Sequence, residues 1–383
     1  MSAAADPGAA NICETPFGPF QLQRYPARKQ ELLRAWCGAD LLLLDTAAEQ
    51  ALPGSTLIVN DDYGALSLPL IAAGAACTLW TDSALAARAL AENARTNNSP
   101  APALVWSTDL PPAGAALALL RIPKQKALLE YQLAQLARVL PAGATLLAAG
   151  MDKHLPAGVD SLISRYIGPC DRLRGRYKAH AWRAQRGAQA AGTMPEPLSS
   201  YFCEPLGAAL RSLPNVFSRE GLDPGTRLLL QQLSQLQPAA RAVDLACGNG
   251  VIGLCALQLG LARELWFCDE SAHAIASARL NLETVLPERV PETHFLHGDG
   301  LRDWKAAAPD LVLCNPPFHL QHTVDDYAGR RLLSQAAAVL APGGQLCLVA
   351  NRHLDYRRTL EHGFRQQRVL AQDRRFRIYL ASR

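Results

Sequence analysis

The sequence predicts an α/β protein made of two tandem Rossmann-like domains, each organised around a mostly parallel, doubly wound sheet. Short apolar runs alternate with longer amphipathic stretches along the chain, as strands and helices do in such sheets. The alternation pauses near Pro195 and Pro197 and then restarts. A chain of 383 residues is long enough for both domains to bury a core of their own.

Composition sets the outer limits of this prediction. Hydrophobic residues make up 49% of the chain and charged residues 19%, which excludes wholesale disorder. We predict a flexible lead-in over residues 1–19, a first domain over 20–190, a linker over 191–213 and a second domain over 214–383. The 10 Cys residues include no Cys-x-x-Cys pair, so we expect reduced thiols and no metal. Neither a signal peptide nor a membrane span is predicted, which favours a cytoplasmic protein.

Strand candidates in the first half are short apolar runs bounded by turn residues. They lie at residues 41–44, 56–60, 77–82, 103–107, 116–121 and 145–149. The helix candidates are residues 83–96 and 124–140, and in the second of these apolar residues recur at helical spacing.

In the second half the same alternation predicts a longer series of elements. Helices are expected at residues 226–236, 251–259, 271–285 and 330–340, with Ser271 capping the third. Strands are expected at residues 242–246, 264–268, 294–297, 310–314, 345–350 and 377–381.

The two halves share their motifs in the same order, which favours duplication of one domain over convergence. Residues 57–66, 79–83, 106–109, 120–124, 141–143 and 153–155 parallel residues 243–250, 266–271, 296–299, 314–318, 342–344 and 352–354. Arg121 and Lys124 stand where the second half has Asn315 and Phe318. We therefore predict that the first domain kept the fold and lost the chemistry.

The sharpest candidate for chemistry is the run Asn315, Pro316, Pro317 and Phe318, which we predict to be catalytic. It follows the apolar strand at residues 310–314, and open α/β sheets bind ligands beyond the carboxyl ends of their strands. An Asn oxygen and a prolyl carbonyl can each accept one N–H, and an aromatic ring can stack on a base. The run therefore suits a flat base that carries an exocyclic amino group.

Such an amine is a poor nucleophile because its lone pair is delocalised into the ring. Hydrogen bonds from its N–H groups to Asn315 and to the Pro316 carbonyl favour a pyramidal nitrogen whose lone pair is aimed at a methyl group. No strong general base is needed, since the methylated ammonium loses its proton to water. Phe318 is expected to stack on the base, which has to leave its helix or be unpaired.

A glycine turn upstream is the candidate site of the methyl donor. Asp244 lies in a strand that leads through Gly248, Asn249 and Gly250 into a helix, and glycines let the backbone approach a ligand closely. The Gly-x-Gly-x-x-Gly spacing completed by Gly253 also fits the dinucleotide fingerprint, so this motif alone leaves NAD open. Asp244 and the downstream Asn-Pro-Pro-Phe favour a methyl donor.

Acidic residues also follow the next strands. Asp269, with Glu270 beside it, ends the second strand, where a carboxylate can accept both ribose hydroxyls. Asp299 ends the third strand and can accept from an adenine amino group. The predicted cofactor-binding set is Asp244, Gly248, Asn249, Gly250, Asp269, Glu270, Asp299 and Asn315.

This order of motifs is similar to that of class I S-adenosylmethionine-dependent amino-methyltransferases. From about residue 20 to its end the chain resembles the bacterial ribosomal RNA guanine-N2 methyltransferases with duplicated domains, the large-subunit member more than its small-subunit sister. The stretches that carry the resemblance are residues 20–26, 215–226, 244–254, 314–319 and 350–356. Ala246 in the glycine motif departs from the family pattern.

The resemblance implies a seven-stranded sheet in each domain, with the first domain degenerate and involved in binding RNA. It implies methyl transfer from S-adenosylmethionine to the N2 of a guanosine in 23S rRNA, with S-adenosylhomocysteine as the product and no metal. Ribosomal RNA is the expected partner, without a membrane, and a monomer is expected.

Two further segments are candidates for contacts with the RNA. Residues 215–226 are either a hydrophobic staple before a helix or a flap near the donor and the base, in which Phe217 packs and Arg219 is polar. Basic residues outnumber acidic ones between Lys153 and Arg186. Beside a base-modifying site such a run predicts an RNA backbone track, here assigned to Arg172, Arg174, Arg176, Lys178 and Arg183.

Other functions remain open on the sequence. An Asn-Pro-Pro-aromatic motif serves 16S rRNA guanine, adenine N6 in nucleic acid and a glutamine side chain in a protein equally well. A non-catalytic RNA-binding module is a different class of function. The retention of Gly248, Gly250, Asp269 and Asn315 argues against it.

Overall fold

A computed structural model describes residues 11–28, 31–188, 195–317, 319–320, 323–324, 327–354 and 356–383. The chain divides into two compact units, Met1–Pro197 and Leu198–Arg383. No helix within the described ranges is both long and apolar enough to cross a membrane.

The first unit contains the elements β1 (Ile12–Thr15), β2 (Gly18–Gln21), α1 (Gly38–Ala48), β3 (Ser55–Val59), α2 (Ser67–Ala72), β4 (Ala76–Thr81), α3 (Ala84–Thr96), β5 (Ala103–Trp106), β6 (Leu117–Arg121), α4 (Lys126–Val139), β7 (Thr145–Met151), α5 (Val159–Tyr166), β8 (Cys170–Arg172) and β9 (Ala179–Gln185).

The second unit contains the elements β10 (Ser199–Cys203), β11 (Ala208–Ser212), α6 (Pro224–Leu230), β12 (Ala239–Leu245), α7 (Val251–Gln258), β13 (Ala262–Asp269), α8 (Ala272–Val285), β14 (Thr293–His297), β15 (Leu311–Cys314), β16 (His319–Leu320), β17 (Thr323–Val324), α9 (Tyr327–Val339), β18 (Gln345–Asn351), α10 (Arg357–Gly363), β19 (Gln366–Gln372) and β20 (Phe376–Ser382).

Each unit is built on one 7-stranded sheet. The strand order is β5-β4-β3-β6-β7-β9-β8 in the first unit and β14-β13-β12-β15-β18-β20-β19 in the second, which is the same order once strands are numbered within each unit. In both sheets the sixth strand of this order pairs antiparallel with its neighbours and the remaining pairs are parallel. The predicted pair of mostly parallel, seven-stranded sheets is thus confirmed.

The central strands are buried because helices cover both faces of a parallel sheet. Every residue of β15 is buried, and β18 buries its five middle residues. A strand of this kind is a continuous apolar run, which explains why these strands could be recognised from the sequence. The core therefore holds the carboxyl ends of the strands in fixed register, and the candidate site lies at those ends.

One predicted strand is wrong. Residues 41–44 form part of the helix α1 and not a strand. A short leucine run does not distinguish a buried strand from a buried helix by its pattern. The first turn of this helix is stabilised by its N-terminal cap, in which the Asp40 carboxylate accepts a hydrogen bond from the Cys37 N–H at 2.8 Å. The predicted cap of α8 is confirmed, since Ser271 Oγ accepts from the Ala274 N–H at 3.1 Å.

Two segments that the sequence assigned to connecting chain form β-hairpins instead. Strands β1 and β2 lie across the end of the expected lead-in, and β10 and β11 lie within the expected linker. Asparagine side chains attach both hairpins to helices: Asn97, at the end of α3, bonds to both backbone groups of Gln21, and Asn281 of α8 bonds in the same way to Arg211. Because these contacts are distant in the chain, local sequence patterns did not reveal them.

Candidate active site

Asn315 follows directly after the buried strand β15, at the carboxyl edge of the second sheet. Its side chain is partly buried, Pro316 is buried and Pro317 is exposed. Phe318, the predicted stacking residue, lies outside the described residues. The predicted run is therefore located beyond the carboxyl end of a central strand, where open α/β sheets bind ligands.

The side-chain nitrogen of Asn315 donates hydrogen bonds to two neighbouring residues. Nδ2 donates to Thr226 Oγ1 at 2.8 Å and to Asp223 Oδ2 at 3.3 Å. The oxygen Oδ1 is buried and has no hydrogen-bond partner within the part of the chain that the structure describes. A buried acceptor without a partner costs roughly 1–3 kcal/mol, which a ligand N–H would recover.

Helix α6 holds the two partners of Asn315. Asp223 is its N-cap, and Asp223 Oδ2 accepts from the Thr226 N–H at 2.8 Å. Pro224 occupies the first helical position, where its missing N–H costs nothing. Sequence reasoning treated this stretch as a staple or flap and missed Asp223 and Thr226. The available signal was the N-cap pattern Asp-Pro-Gly-Thr at residues 223–226.

The glycine turn after β12 needs the conformational freedom of glycine. Gly248 has φ +55° and Gly250 has φ +82°. A Cβ on Gly250 would come within 3.0 Å of Ala278, and one on Gly253 within 2.4 Å of Phe267, so these two glycines allow the turn and α7 to pack closely. A Cβ on Gly248 would meet nothing within 4 Å. The turn therefore leaves open space at Gly248, where a ligand can approach the backbone.

Asp244 is fully buried in β12. Its Oδ2 accepts from the Gly253 N–H at 2.8 Å, while Oδ1 has no partner among the described residues. Burial raises the pKa of Asp244 to about 8, against the hydrogen bond from Gly253 and together with the negative charge of Asp269. The carboxyl group links the strand to the start of α7.

Asp269 ends β13 and links two strand ends. Its Oδ2 accepts from the Gly248 N–H at 2.9 Å, and its Oδ1 accepts from the Ser271 N–H at 3.0 Å. The neighbouring Glu270 is partly buried, and its carbonyl oxygen lies 2.9 Å from His297 Nε2. The structure thus brings Asp269 directly against the glycine turn.

Asp299 follows β14 and is buried. Its Oδ1 forms an ion pair with Arg331 of α9, a residue that sequence reasoning missed. The neighbouring Gly298 has open space around its missing side chain. One oxygen of Asp299 is therefore engaged within the protein, which leaves less of the carboxylate for an adenine amino group than the sequence suggested.

The side chain of Asn249 is directed away from the glycine turn. It is 4% exposed, and its Nδ2 donates to Tyr201 Oη at 3.2 Å and to Ser212 Oγ at 3.3 Å. These contacts attach the β10–β11 hairpin to the turn. Where the sequence predicts a cofactor contact, the structure therefore has a side chain that supports the loop.

The flap candidates differ from each other. Phe217 is 60% exposed and does not pack as predicted. It lies between Asn215 and Ser218, which have φ of 70° and 52°. Arg219 Nε donates to Ser199 Oγ at 3.0 Å, so Arg219 is tied to the β10–β11 hairpin. Backbone strain on both sides of an exposed aromatic ring is the kind of arrangement that tertiary contacts maintain for function.

The predicted RNA track divides into paired and unpaired charges. Arg176 pairs with Asp45 at 2.8 Å, and Arg183 pairs with Glu49 at 3.0 Å. Arg172 lies over the ring of Trp182, 5.7 Å from its centroid. Arg174 and Lys178 are exposed, without an acidic partner in the described part of the chain. The basic run is therefore not one uniform surface.

The equivalent place in the first unit is filled by an ion-pair network. Arg121 is the last residue of β6. Its Nη1 lies 2.6 Å from Asp62 Oδ2, and its Nε lies 3.6 Å from Asp40 Oδ1. Asn60 donates to the Arg121 carbonyl at 2.9 Å and exchanges hydrogen bonds with Gln132. Charged and amide groups thus surround the end of β6, although Asp40 Oδ1 lies beyond hydrogen-bond distance of Arg121 and is itself a buried acceptor without a hydrogen bond among the described residues.

The pairing of the strands shows which residues of the first unit correspond to Asp269 and Asp299 of the second. Val59 pairs with Trp80 as Leu245 pairs with Cys268, so Thr81 is the counterpart of Asp269. In the neighbouring strand pairs Thr81 lies opposite Trp106 as Asp269 lies opposite His297, which makes Thr108 the counterpart of Asp299. The register thus places a threonine at each of these two positions of the first unit, and an acid follows each threonine: Asp109 after Thr108, and after Thr81 the buried Asp82, which accepts from Ser107 Oγ at 2.7 Å.

The residues of the second unit fit an adenosine-containing methyl donor. Open space at Gly248 and Gly298, next to the carboxylate of Asp269, suits a ribose at the ends of β12, β13 and β14. The buried Oδ1 of Asn315, which has no hydrogen-bond partner among the residues that the structure describes, suits an amino group at the end of β15.

Family models and relatives support the same division of the chain. The model of the Methyltransferase small domain matches residues 207–380, and the model of the RLMG N-terminal domain matches residues 10–187. The ribosomal RNA large subunit methyltransferase G of Alcanivorax borkumensis is 40% identical over 380 residues, which cover 95% of both chains. The protein of the same name from Ectopseudomonas mendocina is 40% identical over 377 residues, covering 97% of this chain and 100% of the relative.

A solved structure has the same fold over nearly its whole length. It is that of the T. thermophilus 16S rRNA N2 methyltransferase RsmC in complex with AdoMet and guanosine. The two chains superpose with a TM-score of 0.80 at 22% identity, covering 97% of each. Both halves of the present chain therefore have counterparts in one known architecture.

Proposed function

Because the chain belongs to the ribosomal RNA large subunit methyltransferase G family, we propose that it transfers a methyl group from S-adenosylmethionine to the N2 of a guanosine in 23S rRNA. The observation that carries the proposal is the buried Oδ1 of Asn315, an acceptor at the end of β15 that has no partner in the described part of the chain. An exocyclic amino group supplies the N–H that this oxygen lacks.

The donor is held at the ends of β12 and β13. Gly248 leaves room for it above the backbone, and Asp269 accepts from the ribose hydroxyls. When bound, S-adenosylmethionine supplies an electrophilic methyl group. The turn and the strand ends fix the position of that methyl group relative to Asn315, which is the main contribution that a protein makes to such a transfer.

Asn315 and the Pro316 carbonyl act on the acceptor. By accepting from both N–H groups they draw the amino nitrogen out of conjugation and orient its lone pair toward the methyl group. They also stabilise the positive charge that develops on the nitrogen. Phe318 is assigned the stacking of the extruded base. Of the flap residues, exposed Phe217 is assigned to the RNA and Arg219 to holding the loop.

The first unit is proposed to bind ribosomal RNA without binding the donor. Arg121 with its acidic partners occupies the place of Asn315, so a cation stands where the second unit has the amide acceptor. Within the basic run we assign the phosphate contacts to Arg172, Arg174 and Lys178, which have no acidic partner among the described residues. Paired Arg176 and Arg183 contribute less, because Asp45 and Glu49 neutralise them.

Labelled S-adenosylmethionine and ribosomal RNA from a strain that lacks this protein test the proposal. We expect the label in 23S rRNA, at the N2 of one guanosine after nuclease mapping. Label in 16S rRNA would move the substrate to the small subunit. Label in adenosine or in protein would refute guanine as the acceptor, and no transfer to any of them would refute the enzymatic function.

Replacing Asn315 tests the part assigned to its side chain. Asn315→Ala is expected to lower kcat by a factor of about 10² to 10³, since it removes a group that stabilises the transition state. The dissociation constant of S-adenosylmethionine, measured by calorimetry, should change little because the donor rests on Gly248 and Asp269. Unchanged turnover would exclude the assigned role of Asn315.

A further inference from the structure

The amide of Asn315 has two ends of nearly the same shape, and only the oxygen end can accept from an amino group. We infer that Thr226 and Asp223 are positioning residues that hold this amide with Oδ1 turned toward the acceptor amine. The inference rests on the proposed function and concerns the orientation of the residue on which that function depends.

The nitrogen of the amide donates to both of these residues. Nδ2 lies 2.8 Å from Thr226 Oγ1 and 3.3 Å from Asp223 Oδ2. With the nitrogen engaged in this way, the remaining polar atom is Oδ1, which has no partner in the described ranges of the chain. The free acceptor of the site is therefore a direct consequence of where the nitrogen is held.

Asp223 decides which way the amide points. A threonine hydroxyl can donate or accept, so Thr226 alone would tolerate either end of the amide. An ionised carboxylate only accepts, and a reversed amide would set Oδ1 against Asp223 Oδ2 at about the distance that Nδ2 now has. The resulting repulsion between two acceptors excludes the reversed orientation, in which no oxygen would be left for the substrate.

Local structure keeps Asp223 and Thr226 in place. The Asp223 carboxylate caps α6 by accepting from the Thr226 N–H at 2.8 Å, and Thr226 is 3% exposed. Gly225 lies between them, and a Cβ there would come within 3.0 Å of both Asp223 Oδ2 and the Phe376 ring. The cap, the glycine and the packed ring together leave these side chains little freedom to move.

The first unit makes the same contact with different chemistry. Arg121 stands at the end of β6 as Asn315 follows β15, and Asp40 is the third residue of α1 as Thr226 is of α6. Arg121 Nε lies 3.6 Å from Asp40 Oδ1. The strand end therefore rests on the first turn of a helix in both units, and in the second unit the contact orients an amide.

Steady-state kinetics of the full chain separate positioning from general stability. Thr226→Val keeps the shape and removes the acceptor, and Asp223→Ser keeps a helix cap and removes the carboxylate. Each is expected to lower kcat about a hundredfold with the KM for S-adenosylmethionine unchanged, whereas Thr226→Ser should retain most of the wild-type kcat. As a matched control, Ser83→Ala removes the cap of α3 in the first unit and should leave kcat unchanged.

A double-mutant cycle gives the decisive comparison. If Thr226 acts through Asn315, adding Thr226→Val to Asn315→Ala causes no further loss of kcat. Losses that multiply would overturn the inference, because they would mean that Thr226 acts independently of the amide. Full activity of Thr226→Val in the wild-type background would overturn it as well.

Nuclear magnetic resonance tests the orientation without any turnover. The side-chain amide signals of Asn315, assigned by their absence in Asn315→Ala, should be protected from solvent exchange in the wild type and lose that protection in Thr226→Val. Equal exchange in both proteins would refute the inference even if the wild type methylates RNA. If the wild type transfers no methyl group while protection behaves as expected, the proposed function fails and the positioning stands.

Discussion

At the scale of single residues, Asn315 and Asp244 of the second unit are buried polar groups that are only half satisfied. Asn315 Oδ1 and Asp244 Oδ1 both lack a partner among the described residues, and each has its other polar atom firmly bonded. Unsatisfied buried groups are costly, so they persist where function requires them. Asp244 also changes its protonation near neutral pH, because burial raises its pKa to about 8.

Asp244 predicts a pH dependence of stability. The folded protein holds a proton on this group that the unfolded chain releases near pH 4, so the contribution to stability is complete below about pH 4 and is lost as the pH rises toward about 8. Urea denaturation should show the free energy of unfolding falling between about pH 5 and 8, at up to ~1.4 kcal/mol per pH unit from this group.

Asp244→Asn should flatten that fall, since an amide carries no charge to bury. The exposed Asp171→Asn serves as a control and should keep the wild-type profile. If the Asp244→Asn profile runs parallel to the wild type, Asp244 is already ionised in the folded protein at neutral pH.

At the scale of elements, the hairpin of β8 and β9 decides how the basic run is used. Arg176 and Ala179 pair across a two-residue turn, and its residues Tyr177 and Lys178 have φ of 56° and 58°. Tyr177 Oη donates to Asp45 Oδ2 of α1 at 3.0 Å, which holds the turn in place. The sequence showed a run of positive charge, and in the hairpin Arg176 and Arg183 are paired with acids of the first unit, whereas Arg174 and Lys178 are exposed.

Exposed and paired cations of this hairpin should differ in their effect on RNA binding. Arg174→Ala and Lys178→Ala are each expected to reduce the slope of log K against log salt concentration by about 1. Arg183→Ala is the matched comparison and should change the slope less, because Glu49 already neutralises Arg183. Filter binding over a salt series measures these slopes. Equal changes for all the variants would place the RNA contact elsewhere.

At the scale of the whole molecule, two sheets of identical strand order carry different chemistry. The first unit has Thr81 and Arg121 at the places of Asp269 and Asn315. A fold is retained as long as its apolar core is kept, whereas a site is lost when a few polar residues change. The second unit therefore carries the candidate donor site, and the first has the same framework with different polar residues at these positions.

Calorimetry of the full chain should find one molecule of S-adenosylmethionine bound per chain. Asp269→Ala is expected to weaken this binding by a factor of about 10 to 100, through the loss of a charged hydrogen bond worth about 1.5–3 kcal/mol. Thr81→Ala changes the counterpart in the first unit and should leave the affinity as in the wild type. Two bound donors, or equal losses in both variants, would contradict the division between the units.

Elements that depend on local sequence patterns could be predicted from the sequence, whereas elements that depend on contacts between distant residues could not. Buried parallel strands are continuous apolar runs, so strands such as β12 and β15 were recognised from local pattern. Residues 41–44 of the helix α1 were mistaken for a strand because a run of four leucines shows no helical periodicity. The β10–β11 hairpin was missed because Asn249 and Asn281, which attach it, are remote in the chain.

The sequence by itself determined the two α/β units, the difference between Arg121 of the first and Asn315 of the second, and the run at Asn315 as the candidate for chemistry. These follow from residue type and order, which local rules read directly. Tertiary structure alone decided that Asn315 donates hydrogen bonds to Thr226 and Asp223 and that Asp299 pairs with Arg331. It also decided that Arg176 and Arg183 are neutralised by acidic partners. Such contacts join residues far apart in the chain, and their geometry exists only after the sheet has set the strand ends side by side.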